Sequence, residues 1–251
     1  MEHMKRIIIL FYLVLTCSSL LAQKKKEKYE LLPSFPVKVD ADLKEWEGKL
    51  TLMDVDSSWM FGLTSDADYL YAAVRIKDPM LQQEAVRNGI VININPDGKK
   101  KDGAQLIFPI PDSETLRAIA NDENLPNMNV REELIKRSRG YGVRGFAHIV
   151  DGRLSFDNTY GVQISAKLLE NGAMLYESKI PIASIGIKNR NKEVAIQVMI
   201  NNRYAQLQKM LKNRPAPTGM YGGIYSRPTP TVKSPFKMKT EVWVLGQLKE
   251  Q

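Results

Sequence analysis

The stretch Tyr69-Leu-Tyr-Ala-Ala-Val-Arg-Ile-Lys77 decides the fold: Leu70, Ala72, Val74 and Ile76 fall on one side of an extended chain, and Tyr69, Tyr71, Arg75 and Lys77 on the other. Alternation with a period of two is what a half-buried strand requires, because successive side chains of an extended backbone point to opposite faces. The pattern recurs at Ile90, Ile92 and Ile94, at Val162, Ile164, Ala166 and Leu168, and at Val194, Ile196, Val198 and Ile200. Turn signals separate these runs at Asp66 to Asp68, Pro96-Asp97-Gly98, Asp151-Gly152 and Asn171-Gly172. The Asp-Gly and Asn-Gly pairs supply the positive φ that tight hairpins need. Together they predict a mostly β chain built as a two-sheet antiparallel β-sandwich.

Two segments depart from the alternation. A short helical insertion is expected around 111–138, with Asn129 capping a helix from Val130 to Ser138 and Glu132 completing a capping box. The stretch 213–235 is rich in Pro and Gly and carries Tyr221 and Tyr225. It reads as a long mobile loop ahead of a last strand, Met238 to Leu248.

The N-terminal end has the three parts of a secretory signal: Lys5 and Arg6, an apolar run from Ile7 to Leu15, and a small-residue exit from Thr16 to Ala22. The expectation is a signal peptide over 1–22, a charged mobile leader over 23–30, and one β-sandwich domain over 31–251. That places the protein in the periplasm or outside the cell. A second reading stays open, because Val14-Leu-Thr-Cys17 loosely matches a lipobox and would anchor the chain through a lipid on Cys17. Cleavage after Ala22 would remove that residue, the chain's only cysteine, and with it disulfides and thiolate chemistry. No later apolar run reaches membrane-spanning length, so no transmembrane segment is expected in the mature chain.

The net charge of +8 favours anionic partners, but the basic residues are interspersed with 28 acidic ones, and nucleic acid is not the partner expected of an exported chain. The densest basic group is Arg131, Lys136, Arg137, Arg139 and Arg144. It reads equally as a face for an anionic glycan and as a solvated helix surface.

Val39-Asp-Ala-Asp-Leu-Lys-Glu-Trp46 resembles the opening signature of family 9 carbohydrate-binding modules and their DOMON-like relatives. Asp66 to Asp78, Gly89 to Pro96, and Tyr176-Glu-Ser-Lys-Ile-Pro-Ile-Ala-Ser-Ile-Gly186 resemble later stretches of that family in the same order. The resemblance implies a β-sandwich that in many members binds sugar ends, sometimes with structural calcium, and in some relatives holds haem. It also implies that Trp46 is a buried motif residue. In the sugar binders two aromatic rings clamp a sugar. Trp243 sits among Val242, Val244 and Leu245 and reads as core, which leaves Trp59 as the platform candidate with Tyr221 and Tyr225 as partners.

Catalytic signals are sparse. His148 is the only histidine of the mature chain, in Phe146-Ala-His-Ile-Val150, and no Gly-x-Ser-x-Gly elbow accompanies it, so it reads as a strand residue. A glycosidase would need only two carboxylates, and Asp40, Asp42, Glu45, Asp54, Asp56, Asp66 and Asp68 are available, but Asp in turns commonly closes loops through backbone amides. Asp40, Asp42, Asp66 and Asp68 could instead hold calcium if folding gathers them, since that ion accepts irregular oxygen sets. No other cofactor is expected.

These features favour a glycan-binding module of a Gram-negative envelope, of unknown ligand, over an enzyme. The alternative is an envelope assembly protein with a protein partner; a glycoside hydrolase is least favoured.

Overall fold

A computed structural model describes residues 29–189, 191–212 and 233–248. Among the described residues, eleven strands form two antiparallel sheets. In chain order they are β1 (Thr51–Leu52), β2 (Trp59–Ser65), β3 (Tyr69–Ile76), β4 (Ile90–Asn95), β5 (Ala104–Phe108), β6 (Tyr141–Arg144), β7 (Gly152–Leu154), β8 (Gln163–Leu168), β9 (Met174–Pro181), β10 (Val194–Ile200) and β11 (Glu241–Gly246). The first sheet runs β1-β2-β3-β9-β8 and the second β11-β10-β4-β5-β6-β7. The expected two-sheet sandwich is what forms.

The alternation read from the sequence sets which side of each strand is dry. Leu70, Ala72, Val74 and Ile76 of β3 meet Ile90, Ile92 and Ile94 of β4 and Val194, Ile196, Val198 and Ile200 of β10 in one core between the sheets. A slip of one residue in any of these strands would turn that apolar set outward, so the core fixes the register. Asn171-Gly172 closes the β8–β9 hairpin with Gly172 at φ 80, and Gly98, at φ 71, lies in the β4–β5 turn.

A smaller core lies outside the first sheet. Ala41, Leu43 and Trp46 pack there on Tyr71, Ala73 and Leu175, with Phe35, Val37 and Leu50 around them. Trp46 is fully buried, as its motif implied, but in this outer layer. Gly62 on β2 makes the seat: a Cβ there would lie 2.7 Å from a carbon of the Trp46 ring.

Four α-helices lie among the described residues, α1 (Pro79–Asn88), α2 (Ser113–Ala120), α3 (Val130–Lys136) and α4 (Arg203–Lys212), beside three short 3-10 turns. The insertion at 111–138 is helical as expected. Its capping differs, because Asn129 makes no side-chain cap and Glu132 pairs instead with Lys136 at 2.8 Å. Helix α1 was not expected. Asp78 caps it by accepting the Leu81 amide at 2.8 Å, and Pro79 opens it where no donor is needed. The last strand is shorter than expected, and residues 1–28, where the signal peptide and most of the leader were expected, and residues 213–232 lie outside the described residues. No described helix is long and apolar enough to cross a membrane.

Candidate functional site

Polar residues on the outer side of the second sheet line up in register. Trp243 pairs with Gln197, Gln197 with Asn93, Asn93 with Gln105, and Gln105 with Arg144, so one row crosses β11, β10, β4, β5 and β6. The row follows from the same period of two. Where Val242, Val244, Ile196 and Ile92 face the core, the residues between them face out.

Hydrogen bonds fix the middle of this row. Asn93, fully buried, donates to Gln197 Oε1 at 3.1 Å and accepts the Gly103 amide at 2.8 Å. Gln197 in turn donates to Glu241 Oε2 at 2.6 Å. The relay holds the exposed carboxylate of Glu241 in one place at the edge of the face. Asn95 accepts the amides of Asp97 and Lys99 at 3.1 and 3.2 Å, which folds the β4–β5 turn back against its own strand.

Beside the row opens a cleft of about 710 Å³, walled by Gln105, Gln197 and Glu241 on the sheet and by Asn201, Tyr204 and Lys209 at and along α4. Lys209 reaches Asp102 at 3.2 Å across the cleft mouth, and Asn201 donates to the Asn88 carbonyl at 3.0 Å. The floor includes Val91, Ile107 and Met199. Apolar floor with convergent amides, a phenol, a carboxylate and an ammonium is the make-up of a small-molecule site, and the volume is in the usual range of about 300–1,000 Å³.

Of the site residues expected from the sequence, none of the described ones lines this cleft. Trp59 is fully buried between the sheets, packed near Phe61 and donating its indole N–H to the Lys239 carbonyl at 2.8 Å. A ring enclosed on both faces cannot stack on a sugar, so the platform assignment is corrected to a core role. Its position at the start of β2 puts it on the inward side with Phe61 and Leu63, a parity legible in the sequence. Tyr221 and Tyr225 lie outside the described residues. Trp243, read as core, is instead half-buried on the outer face. The signal was its parity against Val242 and Val244.

The four aspartates do not come together as a metal set; no group of three or more His, Cys, Asp or Glu that could hold a metal is present among the described residues. Three of them have local tasks. Asp40 pairs with Lys38 at 2.9 Å and Asp42 with Lys44 at 2.7 Å. Asp66 accepts the amides of Asp68 and Tyr69 at 2.9 and 2.7 Å and the Tyr71 hydroxyl at 2.8 Å. Burial pushes the Asp66 carboxyl up, but those three donors outweigh it and hold the group below its ordinary value. The same interactions, with burial first, push the Tyr71 phenol up.

His148 is exposed in a bend between β6 and β7, not in a strand. Gly145, at φ 71, ends β6, and Asp151 accepts its amide at 2.7 Å to close the bend, while Phe146 and Ile149 turn into the core. The basic group is dispersed. Arg131 donates to Gln82, Lys136 and Arg137 form helical ion pairs with Glu132 and Glu133, and Arg144 belongs to the outer row of the second sheet.

Glu177 is the residue the sequence reading missed. It is fully buried on the outer side of β9, where Oε1 accepts the Trp46 indole N–H at 2.9 Å and Oε2 accepts the amides of Ala41 and Asp40 at 2.8 and 3.1 Å. The glutamate stands in the quoted Tyr176 to Gly186 stretch, yet nothing local distinguishes it from a solvent-facing strand residue.

No family model matches the chain, and no curated protein matches it either. Among solved structures, a family 9 carbohydrate-binding module from Caldicellulosiruptor kristjanssonii in complex with glucose is similar at 12% identity and a TM-score of 0.35, over 71% of this chain and 81% of that one. A family 9 module from the same organism in complex with cellotriose is similar at 11% identity and a TM-score of 0.37, over 70% and 78% of the two chains. Both are modules of the family that the 39–46 and 176–186 stretches resemble.

Proposed function

We propose that the chain is an exported sugar-binding module, and that its ligand lies in the cleft on the outer face of the second sheet. The observation that carries this reading is the hydrogen-bond relay ending at Glu241: a buried asparagine orients Gln197, which orients the carboxylate. A sugar offers adjacent hydroxyls that each donate and accept. An anchored carboxylate and amides supply complementary groups in fixed positions, and pre-fixed groups lose less entropy on binding. The side chain of Gln105 makes no hydrogen bond among the described residues and is half-buried beside the cleft, so it is free to serve a ligand. Tyr204 contributes apolar ring surface with a polar edge. Binding rather than turnover is the activity proposed. The signal segment supports export to the periplasm or beyond.

A protein-partner reading rests on α4, where Leu207 and Met210 are 39% and 70% exposed beside the same cleft. Affinity electrophoresis through gels holding cellulose-derived, xylan, mannan, pectin and bacterial glycans separates the two. Retardation in at least one gel, lost in Gln105→Ala, supports the sugar reading. Unretarded migration in every gel, with Leu207→Glu abolishing a stable complex in envelope extracts, supports the partner reading.

A further inference from the structure

The outer face of the first sheet carries a second row in register: Leu52 on β1, Met60 on β2, Arg75 on β3, Leu175 on β9 and Lys167 on β8. A groove of about 490 Å³ opens between this face and the segment 42–50. Its walls are largely aliphatic, from Leu43, Leu50, Leu52, Met60 and Leu169, and Arg75 stands among them.

Arg75 is the anomaly. Its Nε is buried and has no hydrogen-bond partner among the described residues, nor does any described carboxylate pair with its guanidinium. Of the acids that line the groove, Asp42 is taken by Lys44 at 2.7 Å and Glu47 is exposed. A guanidinium N–H that is buried without an acceptor loses its hydration with nothing in return, and in Arg75 the innermost one, Nε, is in that position. Burial of the aliphatic stem explains why an arginine can sit on an apolar face, but not why its innermost N–H lacks an acceptor. An anionic ligand would supply that acceptor, and the fork of the guanidinium matches a carboxylate with two parallel bonds.

We propose that this groove binds a medium-chain carboxylate, its head on Arg75 and its acyl chain along Leu43, Leu50, Leu52 and Met60. The buried Nε–H of Arg75 that lacks an acceptor selects an anionic head, and the aliphatic walls, with Leu52 52% exposed, select a tail. A small hydrophilic anion would leave those walls wet, and a neutral chain would leave Arg75 unpaired. This site is on the opposite sheet from the sugar cleft and stands whether or not that cleft binds sugar.

Calorimetric titration with octanoate, octanol and acetate tests it. Octanoate is expected to bind saturably, at least about tenfold more tightly than octanol or acetate. The preference should shrink as salt rises and disappear in Arg75→Met, which keeps the apolar volume and should melt no lower than the parent. Octanol binding as tightly as octanoate, octanoate failing to saturate, or an Arg75→Met variant that keeps the preference would overturn the assignment. Should Arg75→Met not fold, the salt series on the parent protein decides alone: an octanoate affinity that does not change with ionic strength overturns the proposal.

Discussion

The indole N–H of Trp46 donates to Oε1 of Glu177 at 2.9 Å, joining two residues 131 positions apart in the sequence. The other carboxylate oxygen takes the amides of Asp40 and Ala41, and Ala41 sits at φ 60, a conformation that turns its amide toward the sheet side. One buried glutamate thereby fastens the whole 40–46 segment to β9. Trp46→Phe keeps most of the packing and removes only the donor. It is expected to cost about 1–3 kcal/mol, as an unsatisfied buried acceptor does, and Trp46→Ala about 3–5 kcal/mol. Urea unfolding of both variants measures this, and a Trp46→Phe variant as stable as the parent would remove the bond from the account.

Burial raises the pKa of Glu177 against the pull of the Trp46, Asp40 and Ala41 donors, with Glu45 adding to the rise. The unfolded chain has its ordinary value of about 4.3. Between that value and the raised one the folded state holds more protons, so this group makes the protein less stable as the pH climbs through the window. Asp40, held low first by its bond to Lys38, and Asp66 act oppositely, but their contribution is lost only as the pH falls below the ordinary Asp value of about 3.9. Comparing unfolding of the parent and Glu177→Gln from about pH 4.5 to 7 isolates the effect. The parent should lose stability relative to the variant as the pH rises, while the variant is weaker throughout, because its amide N–H₂ must face a donor. Parallel pH profiles would contradict the assignment.

Gly62→Ala places a methyl 2.7 Å from the Trp46 ring, and the ring is pinned by Glu177, so it cannot step aside cheaply. Overpacking of this kind costs about 1–3 kcal/mol. A thermal melt checks it, and the paired variant Gly62→Ala with Trp46→Leu should recover part of the loss.

Trp59→Phe separates a core role from a binding role. The loss of its bond to the Lys239 carbonyl, 180 positions away in the sequence, is expected to cost about 1 kcal/mol, with glycan affinity unchanged. Reduced affinity at full stability would return Trp59 to the binding surface.

The sandwich was legible because period-two alternation and turn residues report directly on which side of a strand is dry. The β3, β4 and β10 sets all landed in the core between the sheets. The same parity, applied to 241–246, would have placed Trp243 outside and, applied to 59–63, Trp59 inside; reading tryptophan by its surroundings instead of its phase reversed both. Helix α1 was announced by Asp78-Pro79, a cap followed by a first-turn proline. The tie from Glu177 to Trp46 and the relay from Asn93 to Glu241 were not legible. Both are contacts between residues far apart in the chain, 131 and 104 positions at their longest single bonds, and no local pattern encodes which distant acceptor a buried donor will find. The aspartates misled for a related reason, since the turn and ion-pair tasks they perform need the same residue type as a calcium loop.

Sugar binding in the cleft is tested by isothermal titration of the glycan that retards the protein most, against the parent, Gln105→Ala and Glu241→Ala, with Trp59→Phe as the control. Both cleft variants are expected to lose at least about tenfold in affinity while their melting temperatures stay near the parent's, and the control is expected to bind as the parent does. Cleft variants that bind as well as the parent would contradict it and place any sugar site elsewhere on the molecule.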